Sequence, residues 1–155
     1  MDPAGAATDT AAMSGLELLE AIRDDRLPGP GVARLLGMRM AEVEVGRVVF
    51  ELHTRAELGN PLGTVHGGIT ATLLDSAMGC AVQSALPAAA TYTTVDLSVT
   101  YLRAVPYDGR PLRAEGRVVH VGGRIATAEG RVVDGDERLV ATATTTCMIF
   151  RDSAR

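Results

Sequence analysis

The chain has 155 residues, a length that fits one domain. Apolar residues make up 46% of it and aromatic ones only 3%, with no Trp, so a core must be built from Ala, Val, Leu, Ile and Met. A formal net charge of -4 weighs against a nucleic-acid-binding protein, which usually carries a basic face or stripe. The two cysteines, Cys80 and Cys147, sit in apolar segments. They read as buried free thiols in a reducing compartment, because a disulfide framework needs a denser pattern. No basic stretch followed by an apolar run opens the chain, so no secretory leader is expected and the expected location is cytoplasmic.

In chain order, residues 1–13 are small and polar without periodicity and read as a disordered tail, leaving 14–155 as the single domain. Ser14, with Glu17 three residues later, predicts a capped helix whose apolar positions are Leu16, Leu19 and Ile22. Pro28-Gly29-Pro30-Gly31 ends it, and a further turn of helix is expected at Val32–Leu36. Residues 38–54 alternate as a hairpin around Gly46-Arg47. A loop over 55–66 leads to a long apolar helix at about 67–86, stopped by Pro87. Four strands are then predicted, at 91–104, 111–121, 124–133 and 138–150. In the first of them Val95, Leu97, Val99 and Tyr101 share one face. The turns are Tyr107-Asp108-Gly109, Gly122-Gly123 and Asp134-Gly135-Asp136. The order β-β-α-β-β-β-β, with a short amino-terminal helix, is an α+β pattern with an antiparallel sheet.

The long helix carries one charge, Asp75, among residues that are apolar around most of its circumference. Such a helix is buried or membrane-spanning. Thr70, Thr72, Ser76, Gln83 and Ser84 interrupt the run and strands flank it, so the expected solution is one helix wrapped by a curved sheet. Asp75 must then be paired, protonated or part of a site. It is either an Asp held at a subunit seam by a hydrogen-bonding partner, or a general base or nucleophile facing a cleft.

Asn60-Pro61-Leu62-Gly63-Thr64-Val65-His66-Gly67-Gly68 leads into that helix. The first amides of a helix lack intrahelical acceptors and lie at its positive end. Gly67 and Gly68 would let a carbonyl approach those amides, the geometry an oxyanion hole requires, although paired glycines also simply make turns. His66 fits a loop fastener as well as a proton-transfer group. Gly67 and Asp75 are eight residues apart on one helix, roughly 12 Å along its axis. A base must stand about 3 Å from its reaction partner. If both act on one carbonyl, Asp75 comes from a second subunit.

Asn60-x-x-Gly63-x-x-His66-Gly67-Gly68, followed by Leu73-x-Asp75, resembles the signature of hot-dog thioesterases, in particular the phenylacetate-pathway (PaaI-like) group, over about residues 30–150. The resemblance implies a hot-dog fold, dimers joined sheet to sheet and pairing into tetramers, and an acyl-CoA substrate. It implies that the Gly67 amide polarises the thioester carbonyl, that Asn60 positions water or holds the carbonyl, and that His66 supports the loop and the carbonyl. Asp75 of the neighbouring subunit would activate water or attack directly, with Thr94 helping to hold the water. Gly68, Arg103, Gly122, Gly123 and Arg124 are the candidate substrate contacts, and Arg151 follows the last strand. Arg124, after two bare turn amides, is the favoured phosphate partner. The alternatives are a hot-dog dehydratase and a non-catalytic acyl-CoA-binding module. No spacing suggests a metal, nicotinamide or flavin site, and neither nucleic acid nor a membrane is an expected partner.

Overall fold

Residues 10–151 of the computed structural model are described. The expected tail therefore lies mostly outside the described residues, and within it Thr10–Ala12 form a single 3-10 turn. Ser14 and Glu17 close a reciprocal capping box. The Ser14 hydroxyl accepts from the Glu17 amide at 3.3 Å, and the Glu17 carboxylate accepts from the Ser14 amide at 2.8 Å. Helix α1 (Gly15–Arg23) begins there. A second helix, α2 (Gly31–Leu36), is terminated by Gly37 in the left-handed region at φ 73°.

Strands β1 (Met38–Glu44) and β2 (Arg47–His53) form the predicted hairpin, and helix α3 (Gly67–Ser84) follows. Strands β3 (Ala90–Tyr101), β4 (Pro111–Val121), β5 (Ile125–Val133) and β6 (Leu139–Arg151) complete one six-stranded sheet. Its order is β1-β2-β4-β5-β6-β3, antiparallel throughout. The chain leaving α3 thus crosses to the far edge, where β3 pairs only with β6. This is the hot-dog fold: one curved sheet around one helix.

Burial of α3 drives the wrapping. Leu73, Leu74, Ala77, Met78, Ala81 and Val82 are fully buried against Val48, Leu52, Leu112, Ala114, Ala126 and Val132 of the sheet. The polar groups that go in with them are satisfied. Gln83 donates to the Ala90 carbonyl at 3.2 Å, and the Ser84 hydroxyl accepts from Gly46 at 2.8 Å while donating to Ala81 at 2.7 Å. Glycines in the strands allow the close approach. A methyl group on Gly116 of β4 would land inside the backbone of Ala77 and Met78, whereas one on Gly130 of β5 would press on the side chains of Met78 and Leu74. A stripe of α3 stays less covered, comprising Gly68, Thr72, Asp75, Ser76 and Cys80. Among the described residues no helix is long and apolar enough to cross a membrane.

One expectation fails within β3. The pairing with β6 skips a residue between Thr94 and Asp96, a bulge that leaves Val95 outside the ladder. Val95 consequently points away from the helix and is 57% exposed, while Leu97 and Val99 pack against the core. The uninterrupted alternation of Val95, Leu97, Val99 and Tyr101 is therefore incorrect at Val95. The strand also ends at Tyr101, because Leu102 and Arg103 turn to donate to the Val140 carbonyl.

Gly116→Ala should destabilise the fold by about 1–3 kcal/mol, since it overpacks against helix backbone that cannot retreat. Gly130→Ala should cost less, because the Met78 side chain can move. Chemical denaturation of both variants checks the ranking, and an equal or reversed order would contradict the backbone contact.

Candidate active site

The loop before α3 is organised by its own polar side chains. The Asn60 carbonyl oxygen accepts from the amides of Leu62 at 2.9 Å and Thr64 at 3.2 Å, and its amide nitrogen donates to the Thr64 hydroxyl at 2.9 Å. Asn60 is therefore a strut of the loop, with one side-chain N–H left to offer. His66 is the N-cap of α3, and its Nδ1 accepts from the Gly68 amide at 2.9 Å. That bond leaves the proton of the neutral ring on Nε2. The His66 carbonyl accepts from Ile69 at 2.9 Å.

Among the first helical amides Gly68 and Ile69 are thus engaged, while the Gly67 N–H finds no acceptor among the described residues. It is a free donor at the positive end of an 18-residue helix. The opposite side of Gly67 is occupied. The Tyr101 hydroxyl donates to the Gly67 carbonyl at 2.6 Å, and a side chain on Gly67 would come within 3.2 Å of the Tyr101 ring. Gly67 is bare partly to admit Tyr101. Beside it lies a cleft of about 370 Å³ lined by Val65, Gly67, Thr70, Tyr101, Arg103 and Val140. Arg103, a candidate substrate contact, stands at this end of the molecule.

Asp75 lies two helical turns further on. Thr94 donates to its Oδ1 at 2.8 Å, so the candidate carboxylate and the candidate hydroxyl are paired within one chain. Cys80 and Tyr92 flank them. Burial, reinforced by the charge of Asp75, pushes the Cys80 thiol up to about 12. Burial also raises the Tyr92 phenol well above its ordinary value, with Cys80 and Asp75 adding to the effect. Both stay protonated at neutral pH. Cys147 is buried as expected, but Cys80 is only partly so.

The β4–β5 turn holds Gly122, Gly123 and Arg124. The register Ile125–Met148–Thr93 places that turn at the Thr94 end of the sheet, away from Tyr101. Arg151 donates to the carbonyls of Gly123 at 3.2 Å and Gly122 at 3.3 Å, so its guanidinium fastens the turn. The exposed Arg124 side chain has no partner among the described residues. No cluster of three or more His, Cys, Asp or Glu suited to a metal ion occurs among the described residues.

The candidate residues fall into two groups. Asn60, His66, Gly67, Gly68 and Arg103 gather at one end of α3, and Asp75, Thr94, Gly122, Gly123 and Arg124 lie toward the other. Within one chain the Gly67 amide and the Asp75 carboxylate remain roughly 12 Å apart along the helix. The residue not anticipated from sequence is Tyr101, read only as part of an apolar strand face. The bulge that aims it leaves no residue-type signature around Val95.

One curved antiparallel sheet wrapped on one long helix defines the hot-dog class. The model of the Thioesterase superfamily matches residues 62–141. A Halobacterium salinarum protein named as an esterase is 40% identical over 91 residues, 56% of this chain and 58% of that one. Human acyl-coenzyme A thioesterase 13 is 34% identical over 70 residues, 44% of this chain and 49% of its own. The chain therefore spans about half the length of the curated relatives it matches. The solved structure of a phenylacetic acid degradation-related protein from Ralstonia eutropha JMP134 is 29% identical with a TM-score of 0.76, covering 83% of this chain and 97% of that one. The chain belongs to the thioesterase superfamily, and its hot-dog fold is similar to that of the phenylacetic acid degradation-related, PaaI-like protein.

A thiol held at about 12 against its ordinary 9.0 stabilises the folded state fully below pH 9, and this contribution is lost as pH rises toward 12. Cys80→Ala should accordingly flatten the alkaline limb of a stability–pH profile between those values. At pH 8 the folded wild type should resist thiol alkylation that proceeds readily in denaturant. Cys80 is only partly covered, so the protection expected is that of its raised pKa, and alkylation of folded Cys80 as fast as in denaturant would contradict that shift.

Proposed function

We propose that the protein hydrolyses an acyl-CoA thioester to the free acid and CoA, at sites each built from two subunits. The observation that carries this reading is the free Gly67 amide and the Thr94-bound Asp75 lying on one rigid helix, too far apart to serve one carbonyl. Antiparallel α3 helices related by a two-fold axis would set the Asp75 of one subunit against the Gly67 of the other, and do so twice. Acyl-CoA as substrate is supported by the family and by the human relative's name.

In this site the thioester oxygen accepts from the Gly67 N–H, which with the helix dipole stabilises charge as it develops on that oxygen. Asp75 of the partner subunit either takes a proton from the attacking water or attacks the carbonyl itself, and Thr94 holds the carboxylate in its rotamer. The remaining Asn60 N–H is directed by its loop toward water or carbonyl. His66 acts through the loop, securing the Gly68 amide so that Gly67 alone is left to donate. Collapse of the tetrahedral adduct expels the CoA thiolate, which takes up a proton. On the water route this gives the free acid directly. On the nucleophilic route it gives an acyl–Asp75 anhydride, which a water molecule then hydrolyses to the free acid and regenerated Asp75. Arg124 lies on the Asp75 side of each site, where it would meet a CoA phosphate, and Arg103 lies on the Gly67 side.

Asp75→Asn should remove most thiol release from an acyl-CoA panel while leaving acyl-CoA binding largely intact, because the near-isosteric amide is neither base nor nucleophile. Turnover within a few-fold of wild type would take Asp75 out of the mechanism. Gly67→Pro deletes the free N–H at a helical position that tolerates proline, and His66 is already extended as a residue before proline requires. The added Cβ asks the Tyr101 ring to give by a few tenths of an ångström, so folding and association of the variant are verified first. It too should be inactive. Mixing the two inactive variants should restore roughly a quarter of wild-type activity, since half of randomly exchanged dimers are mixed and each carries one intact site of two. No recovery despite verified subunit exchange would overturn the shared site.

Arg124→Ala should raise KM for CoA thioesters more than it lowers kcat, because a phosphate contact is made equally in ground and transition states. A thioester lacking the nucleotide should be indifferent to the change. An equal response of both substrates would remove Arg124 from CoA recognition.

A further inference from the structure

We infer that Tyr101 is a positioning residue for the thioester carbonyl, its hydroxyl fixing the peptide plane that follows Gly67 and thereby aiming the free Gly67 amide. The inference rests on the hydrolytic reading above and extends it to a residue outside the motif. Glycine at a helix start has the least restricted backbone of any residue, and the end of a helix frays unless it is tied down. An amide there can bind a developing oxyanion only if it is already aimed, since reorientation during the reaction would be lost stabilisation.

Both peptide planes around Gly67 are in fact tied. The preceding plane is held through the His66 carbonyl by the Ile69 amide at 2.9 Å. The following plane is held at its nitrogen by His66 Nδ1 at 2.9 Å and at its oxygen by the Tyr101 hydroxyl at 2.6 Å. Two of these three ties come from the helix start itself. Tyr101 is the long-range tie, reaching 34 residues along the chain from β3, and its ring lies close enough that a Gly67 side chain would meet it at 3.2 Å. Removing Gly67's side chain and supplying Tyr101 are two halves of one arrangement.

The β3 bulge makes the tie possible. Thr94 and Tyr101 are seven residues apart and in an unbroken strand would point to opposite faces of the sheet. The unpaired Val95 shifts the phase once, so Thr94 reaches Asp75 and Tyr101 reaches Gly67 from the same strand. Strand β3 is thus a gauge that touches both half-sites. Tyr101 also lines the cleft beside Gly67, so its hydroxyl is at the site without contacting the reacting atoms.

The test is Tyr101→Phe, which keeps the ring and deletes the hydroxyl. Loss of one such bond should lower kcat about five- to tenfold with KM within twofold. A trifluoromethyl ketone analogue of the acyl-CoA, whose hydrate mimics the tetrahedral adduct, should bind more weakly by the same factor. A thioether analogue, which mimics the ground state, should bind as to wild type, and thermal stability and oligomeric state should be little changed. A purely structural role would not separate the two analogues. Wild-type turnover with an unaffected Tyr101→Phe enzyme, or equal weakening of both analogues, would overturn this inference alone. A wild-type protein that hydrolyses no thioester would overturn the hydrolytic reading and this inference with it.

Discussion

The rigidity of α3 is the constraint on which the rest depends. An apolar helix locked in place by a sheet on three sides cannot bend, so the separation between its first amide and Asp75 is set by helical rise alone. Gly116 brings the sheet down onto the helix backbone itself, which removes any slack that larger side chains would leave. The two groups are held as if at the ends of a ruler. In the proposed site that fixed length works as a specification for a partner, because only a second helix running the other way supplies the complementary end.

Strand β3 carries the complementary constraint. It lies at the sheet edge, paired among the described residues with β6 alone, yet it brings one hydroxyl to Asp75 and another to Gly67. A bulge in an edge strand is usually considered for how it blocks unwanted pairing. Here it also selects which side chains meet the helix. The polar groups around α3 are accordingly divided by function. Gln83 and Ser84 are saturated by backbone partners and serve the core, while Asp75 and the Gly67 amide each retain capacity on the less covered stripe.

Charge on the rest of the surface is mostly spent on itself. Arg47 bridges Glu42 at 2.6 Å and Glu115 at 2.8 Å, and Arg113 pairs with Glu42 and Glu51, forming a network on the solvent face of β1, β2 and β4. These pairs hold the Glu42 carboxyl below its ordinary value, chiefly through hydrogen bonds from Arg113 and Arg47. Arg151 is similarly engaged by backbone carbonyls. Arg103 and Arg124, by contrast, have side chains without protein partners among the described residues, which suits them to anionic groups of a ligand.

Much of this was legible in the sequence because it is local. The Ser14–Glu17 capping box, the turns at Gly46 and Gly122-Gly123, the lone Asp75 in an apolar helix and the glycines at the helix start all follow from neighbouring residue types. The eight-residue interval from Gly67 to Asp75 alone fixed their spacing, so that if both act on one carbonyl they come from different subunits, since helical rise depends on nothing else. Tertiary structure decided what depends on pairing across the sheet. The crossing of β3 to the far edge, the slip at Val95, and the partners chosen by Asn60, Thr94, Arg151 and Tyr101 are settled by which strand lies beside which. A β-bulge costs one skipped ladder position and can fall at many places in a run such as Thr93-Thr94-Val95-Asp96. In the folded chain it falls at Val95, which puts Thr94 against Asp75 and Tyr101 against Gly67 on a helix fixed by burial.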